Sequence, residues 1–134
     1  MSDHPAILFV NETFYRAFAD RDMGAMESVW SETAPLTCIH PGWGMLDGRE
    51  DVMESWSAII ANPDSPNIYC RAPTAYIHGD AGIVICFEQI EDQFLIATNM
   101  FVREGRIWKM IHHQSGPTAD VPDIESEDGP DLVN

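Results

Sequence analysis

Residues 82–115 read GIVICFEQIEDQFLIATNMFVREGRIWKMIHHQS, and this stretch decides the architecture. Three runs rich in Val, Ile, Phe and Thr are broken at Glu91-Asp92 and at Glu104-Gly105, the pattern of strands joined by tight turns. The spacing predicts an antiparallel meander over 82–90, 94–103 and 106–115. Strand side chains alternate, so two-residue turns fix which of them share a face. One face then holds Val84, Cys86, Glu88, Leu95, Ala97, Asn99, Phe101, Trp108, Met110, His112 and Gln114. The opposite face holds Ile83, Ile85, Phe87, Ile96, Thr98, Met100, Val102, Ile107, Lys109, Ile111 and His113. Neither face has the polar character of a solvated one.

Upstream of the meander, 67–78 is extended, and Pro73 within it demands a bulge or an edge position. His78-Gly79-Asp80 makes the turn into the next strand. The first half of the chain is helical instead. Ile7, Val10, Phe14, Ala17 and Phe18 recur at helical spacing, with Pro5 suited to a first turn. Asp22 caps a short second helix with Met23, Met26, Val29 and Trp30 on its apolar side. Residues 34–44, APLTCIHPGWG, form a short extended piece and a Pro/Gly-rich loop. Asp47 and Glu50 have capping-box spacing and open a third helix through Val52, Met53, Trp56, Ile59 and Ile60. Asn62-Pro63 stops it.

With 134 residues the chain reads as a single domain over 1–117, and 45% hydrophobic residues suffice to fill its core. Residues 118–134 form an acidic, solvated and mobile tail. Twenty-two acids against seven bases leave a net charge of −15, a field that repels phosphate backbones and anionic lipid. Nucleic-acid and membrane-surface partners are therefore not expected. No apolar run is long enough for a membrane helix, and the first residues lack the basic start and apolar stretch of a signal peptide. Cys38, Cys70 and Cys86 form no CxxC pair and read as small buried hydrophobes in a reducing cytoplasm.

Three helices can cover one face of the meander. The other apolar face then needs a second subunit, so the expectation is a homodimer through the outer sheet face. On the first face Glu88, Asn99, His112 and Gln114 fall together among apolar residues. An unpaired polar group in a core costs about 1–3 kcal/mol, so four of them either satisfy one another or line a cavity.

Three stretches carry a resemblance. FYRAFADRDMGAMESVW resembles the opening helix pair of the NTF2-like superfamily. CIHPGWGMLDGREDVMESW is similar to the loop and third helix of its SnoaL-like branch. ATNMFVREGRIWKMIHHQSG is similar to the closing hairpin of that branch. The resemblance implies an α+β cone, with three N-terminal helices packed on a curved, mainly antiparallel sheet around an internal pocket. Relatives include ketosteroid isomerases, polyketide cyclases, dehydratases, transport factors and association modules, among which fold does not choose. In the ketosteroid isomerase pattern the base aspartate before a proline is replaced here by His40 before Pro41. The oxyanion-hole tyrosine corresponds to Phe14, eight residues before Asp22 and next to Tyr15. The protonated aspartate corresponds to Asn99, six residues before Gly105.

The candidate catalytic set is therefore His40, Glu88, Asn99 and His112. His40 acts as general base near neutrality, Glu88 holds its ring, Asn99 donates to an oxyanion, and His112 is the alternative base. The candidate ligand pocket comprises Phe14, Tyr15, Trp43, Trp56, Phe101, Trp108, Met110 and Gln114; Trp43, Trp56, Phe101 and Trp108 read more readily as core than as a ligand platform, with Trp43 in its loop the candidate lid. His112 and His113 face opposite ways on a regular strand and no HExxH or CxxC motif is present, so no metal is expected. No cofactor is expected either. The functional reading is a pocket protein for a small apolar carbonyl-bearing ligand, a cofactor-independent isomerase, lyase or cyclase. Its competitors are a non-catalytic hydrophobic-ligand binder and a dimeric association module.

Overall fold

The computed structural model describes residues 3–122; the acidic positions from Asp123 onward, assigned above to a mobile tail, lie outside the described residues. The elements in chain order are α1 (Asp3–Ala19), α2 (Met23–Val29), β1 (Thr37–Ile39), β2 (Leu46–Asp47), α3 (Arg49–Ala61), β3 (Tyr69–His78), β4 (Ala81–Ile90), β5 (Gln93–Glu104) and β6 (Ile107–Pro117). The strands make one sheet in the order β2-β1-β6-β5-β4-β3. All neighbours are antiparallel except β1 and β6.

Local chemistry accounts for most boundaries. Asp22 caps α2, its carboxylate accepting from the Ala25 N–H at 3.0 Å. Asn62 closes α3 ahead of Pro63, as the breaker signal requires. The expected capping box at the start of α3 does not form. Asp47 is committed to β2, paired with Thr37, and the helix starts after Gly48 at φ 100°, a conformation that suits glycine. Pro73 lies on the edge strand β3 inside a register shift between Arg71 and Thr74, so both of its tolerated contexts occur together.

The core sits between α1 and the inner face of the sheet. Ile7, Phe14 and Phe18 of α1 and Met26, Val29 and Trp30 at α2 are buried with Val84, Cys86, Ala97, Phe101, Trp108 and Met110. Helix α1 comes close to the sheet at Gly82, where an added Cβ would overlap Ile7 Cδ1 and crowd Ile77 Cδ1.

The β4–β5 register matches the expected pairing, Glu88 opposite Leu95 and Val84 opposite Asn99. The β5–β6 register does not. Phe101 faces Met110, yet Met100 faces His112 and Asn99 faces His113, leaving Ile111 as an extra residue on β6. Beyond this bulge the alternation reverses. His113 and Ser115 point inward and are buried, whereas His112 joins Thr37 at 2.7 Å on the outer face and Gln114 is exposed. The cause lies on the other edge of β6. The Met110 carbonyl accepts from Ser31 N–H at 2.9 Å beside a bridge between Trp30 and Met110, and pairing with β1 begins only at His112. Changing partner within one strand takes an additional residue, and such bulges also increase the local twist.

The replacement Gly82→Ala is expected to cost about 1–2 kcal/mol through overpacking against α1. Ile7→Val in the same chain should recover part of that loss, because it removes the overlapping methyl. Urea unfolding of the single and double variants measures both effects.

Candidate functional site

The inner ends of α1, α3, β4 and β6, together with the loop after β1, enclose a cavity of about 260 Å³. Its lining is mostly apolar: Phe14 and Phe18 from α1, Trp56 and Ile59 from α3, Ile68, Ile90 and Leu95, with Pro41, Trp43 and Pro66 exposed at the rim. The polar groups lie deeper. Tyr15, His40, Glu88, His113 and Ser115 all line the cavity and all are buried.

Glu88, Tyr15, Asn99, Asn11 and His113 form one hydrogen-bonded string. Tyr15 donates its phenol proton to Glu88 Oε2 at 2.7 Å, and Cys86 Sγ lies 3.2 Å from Tyr15 Oη. His113 Nε2 stands 3.7 Å from that carboxylate oxygen. Asn99 Nδ2 donates to Asn11 Oδ1 at 2.8 Å and to Tyr15 Oη at 3.2 Å, which turns its Oδ1 towards His113 Nδ1 at 2.6 Å. Asn99 Oδ1 can only accept, so the His113 proton sits on Nδ1 and the lone pair on Nε2, beside Glu88. On the opposite wall Ser55 gives its proton to the Val52 carbonyl at 2.7 Å and accepts from His40 Nε2 at 2.9 Å. That arrangement leaves the His40 lone pair on Nδ1. The His40 ring packs edge-on against Trp43 and Trp56, with both centroid separations at 4.7 Å, and its centroid is 6.4 Å from that of His113.

Burial sets the protonation of these groups. Desolvation, with His113 nearby, lowers His40 to about 4. Desolvation, with His112 nearby, lowers His113 to about 3. Both rings are thus neutral at pH 7. Burial raises the Glu88 carboxyl, and the Tyr15 phenol opposes the shift. Ser115 also opposes it from alongside, though its Oγ lacks hydrogen-bond geometry to any partner among the described residues. Burial and the Glu88 charge push the Tyr15 phenol well up, so it remains a proton donor.

The expected site is thereby redrawn. His40, Glu88, Phe14, Tyr15, Trp43 and Trp56 lie at the cavity. His112 and Gln114 do not, because the Ile111 bulge turns them outward and His113 and Ser115 inward. Phe101, Trp108 and Met110 are inward but packed in the core away from the cavity lining. Asn99 has both amide hydrogens committed within the protein, so it orients His113 rather than donating to an oxyanion. The phenol assigned to the Phe14 position is supplied one residue later by Tyr15. Asn11 joins the site although the sequence reading does not include it; its place four residues after Ile7, on the buried stripe of α1, is the signal that marks it. Among the described residues no group of three or more His, Cys, Asp or Glu side chains is arranged to hold a metal ion.

The sequence profile of the SnoaL-like domain matches residues 7–120. The chain belongs to the SnoaL-like domain family. Among solved structures, this SnoaL-like chain is similar to a candidate dehydratase of the NTF2-like family from Streptomyces avermitilis, with 27% identity, a TM-score of 0.79, and coverage of 88% of this chain and 97% of that one. It is also similar to a candidate calcium/calmodulin-dependent protein kinase type II association domain from Thiobacillus denitrificans, with 28% identity, a TM-score of 0.69, and coverage of 81% and 92%. The F-box protein SKIP8 of Arabidopsis thaliana is 25% identical over 112 residues, which are 82% of this chain and 48% of that protein. The SnoaL-like chain thus spans about half the length of that curated relative. No helix among the described residues is long and apolar enough to cross a membrane.

The histidine burial has a measurable pH signature. Both histidines have folded pKa values below the unfolded 6.5, so each contributes stability that is present above pH 6.5 and lost as pH falls towards 4 and 3. Glu88 has the opposite sign, contributing most at low pH and less as pH rises through its elevated folded value. In His40→Gln the histidine loss at position 40 is absent while an Nε donor to Ser55 remains. The parent should therefore lose on the order of 2–3 kcal/mol relative to His40→Gln between pH 7 and pH 4. Thermal unfolding of both proteins across that range measures the difference, and parallel curves would show that His40 is not held neutral by the fold.

Proposed function

We propose that this chain is a cofactor-independent acid–base catalyst that dehydrates or isomerises a small apolar carbonyl compound bound in the cavity. The observation that carries this reading is the pairing of a fixed lone pair on His113 Nε2 with the Glu88 carboxyl, whose hold on a proton burial strengthens, at 3.7 Å inside an otherwise apolar chamber. In a dehydration, His113 Nε2 takes the proton from the carbon beside the carbonyl. The C–H electron pair becomes the new C=C bond as the hydroxyl on the next carbon leaves. Glu88 supplies the proton with which that hydroxyl departs as water. Passage of the captured proton from His113 to Glu88 then resets the pair. Asn99 keeps the lone pair on the working nitrogen, Tyr15 steadies the Glu88 carboxylate, and His40 accepts from a substrate hydroxyl through Nδ1. The similarity to the Streptomyces avermitilis candidate dehydratase agrees with this chemistry.

Loss of the base costs about 10²–10⁴ in rate for general acid–base catalysis. His113→Gln is accordingly expected to lower kcat on β-hydroxy ketones by that factor, with a melting temperature within a few degrees of the parent. A variant that loses folding and turnover together would make His113 a structural residue. The acid limb of kcat/KM should fall near pH 3–4 rather than near 6.5, since His113 must be protonated before the base disappears. A limb near 6.5 would assign the base to an exposed histidine.

A second reading concerns assembly. Ile83, Ile85, Phe87, Ile96, Met100 and Val102 form an apolar, half-buried outer face that no helix among the described residues covers. We propose that two copies pair through it, a reading supported by the similarity to an association domain. Light scattering at micromolar concentration should give twice the chain mass, and Ile85→Asp should give the chain mass itself. A parent that scatters as a monomer would remove the dimer.

A further inference from the structure

Resting on the reading of Glu88 as the acid of the cavity, we infer that Cys86 is a positioning residue for it. The Cys86 sulfur is a second seat for the Tyr15 phenol proton, which lets Glu88 hold or release its own proton while the rest of the string stays in place. Cys86 is buried on β4, two residues before Glu88 on the same face, and is not part of the cavity lining. It meets no ligand there and acts through Tyr15.

A count of hydrogens around one oxygen carries the inference. Tyr15 Oη has one proton to give and two lone pairs. Three groups stand around it, Glu88 Oε2 at 2.7 Å, Asn99 Nδ2 at 3.2 Å and Cys86 Sγ at 3.2 Å. The contact with Asn99 runs one way, because an amide nitrogen only donates. Those with Glu88 and Cys86 run either way. When Glu88 is ionised it takes the Tyr15 proton, and the Cys86 S–H turns to Tyr15 Oη. When Glu88 is protonated its O–H turns to Tyr15 Oη, and the Tyr15 proton turns to Cys86 Sγ. The Cys86 hydrogen then turns to Cys70, whose thiol hydrogen-bonds that of Cys86 from β3 and takes the Asn11 amide at 3.7 Å. Oη donates once and accepts twice in both states, so Asn99 keeps its orientation and His113 its proton on Nδ1. Each change is a rotation of a hydroxyl or thiol hydrogen, and the proton at Glu88 is the only one gained or lost.

The titratable groups that face Glu88 from the other elements are Tyr15 on α1, Cys38 on β1, His40 in the loop after it, Cys70 on β3 and His113 on β6. Each stays uncharged at pH 7. No Lys or Arg lines the cavity, and α3 brings Trp56 and Ile59 to it. Hydrogen bonds therefore set the balance between the two states of Glu88. Losing the sulfur disturbs those states unequally. With Glu88 ionised, Tyr15 Oη loses one weak S–H donor and still accepts from Asn99. With Glu88 protonated, the phenol proton itself is left buried without an acceptor, the more costly of the two losses.

Cys86→Val fills the same place with neither donor nor acceptor, and Cys86→Ser keeps both roles. The Glu88 carboxyl is followed by ¹³C NMR of the full chain labelled at glutamate, its signal assigned from Glu88→Gln. Its titration midpoint should fall by about one to two pH units in Cys86→Val, and Cys86→Ser should return most of that shift. An unmoved or raised midpoint in Cys86→Val would overturn the role of Cys86. A second measurement needs no substitution to be tolerated in the titrated protein. In the parent, the S–H stretching band of Cys86 should move as Glu88 takes its proton, and a band indifferent to that titration would overturn the role as well. Turnover is read separately. In Cys86→Val the basic limb of kcat on β-hydroxy ketones should move down with the Glu88 midpoint, at unchanged KM. A shifted midpoint with an unmoved limb removes Glu88 as the acid and leaves the role of Cys86, whereas an unshifted midpoint in an active protein removes that role and leaves the acid.

Discussion

The arrangement depends on keeping one carboxylate, Glu88, out of water. A bare carboxylate in an apolar interior is strongly disfavoured, so it persists only where neighbours offset the lost hydration. Here the Tyr15 phenol approaches at 2.7 Å and the His113 ring stands alongside. Each of those neighbours is held in turn by Asn99, which Asn11 orients from α1. The string ties the long helix to three successive strands of the sheet through groups whose geometry tolerates little error. It also explains why α1 carries an asparagine in the middle of its buried stripe, where a leucine would satisfy the helix but leave one amide hydrogen of Asn99 without its partner.

Much of this was readable from residue order. Alternation along 82–101 placed Glu88 and Asn99 on one face, helical spacing located α1 and its aromatic residues, and the Pro41–Gly44 segment lay at the cavity mouth with His40 just before it. What alternation could not convey was the extra residue at Ile111. A bulge leaves no mark in hydrophobic pattern when the residues on both sides are apolar or histidine, as Met110-Ile111-His112-His113 are. Its origin is a long-range one, the change of β6 from the Trp30–Ser31 segment to β1. One inserted residue exchanged the roles of two adjacent histidines. The offset between Phe14 and Tyr15 is of the same kind, since a spacing carried over from relatives is blind to a one-residue rotation of the helix about its axis.

The two faces of the sheet divide the chemistry of the molecule. Inward, polar groups are few, fixed and buried, so their proton affinities are shifted far from those in water. Outward, the side chains are aliphatic and interchangeable, a surface suited to adhesion rather than reaction. A scaffold built this way can exchange one role for the other with little change of backbone, which is why family membership alone leaves the reaction open.

The parallel pairing of β1 with β6 has a kinetic consequence. Thr37 meets His112 across some seventy-five positions of chain, and β6 lies between β1 and β5 in the sheet. During synthesis the helices and the β3–β5 meander can gather early, since their contacts are short in sequence. Until residues 107–117 have been made, however, β1 and β2 have no sheet to join and the cavity lacks a wall. Closure of that long loop is entropically costly and topologically late, which puts this fold among the slower-folding small domains and leaves the apolar edge of β5 open for as long as the last strand is missing.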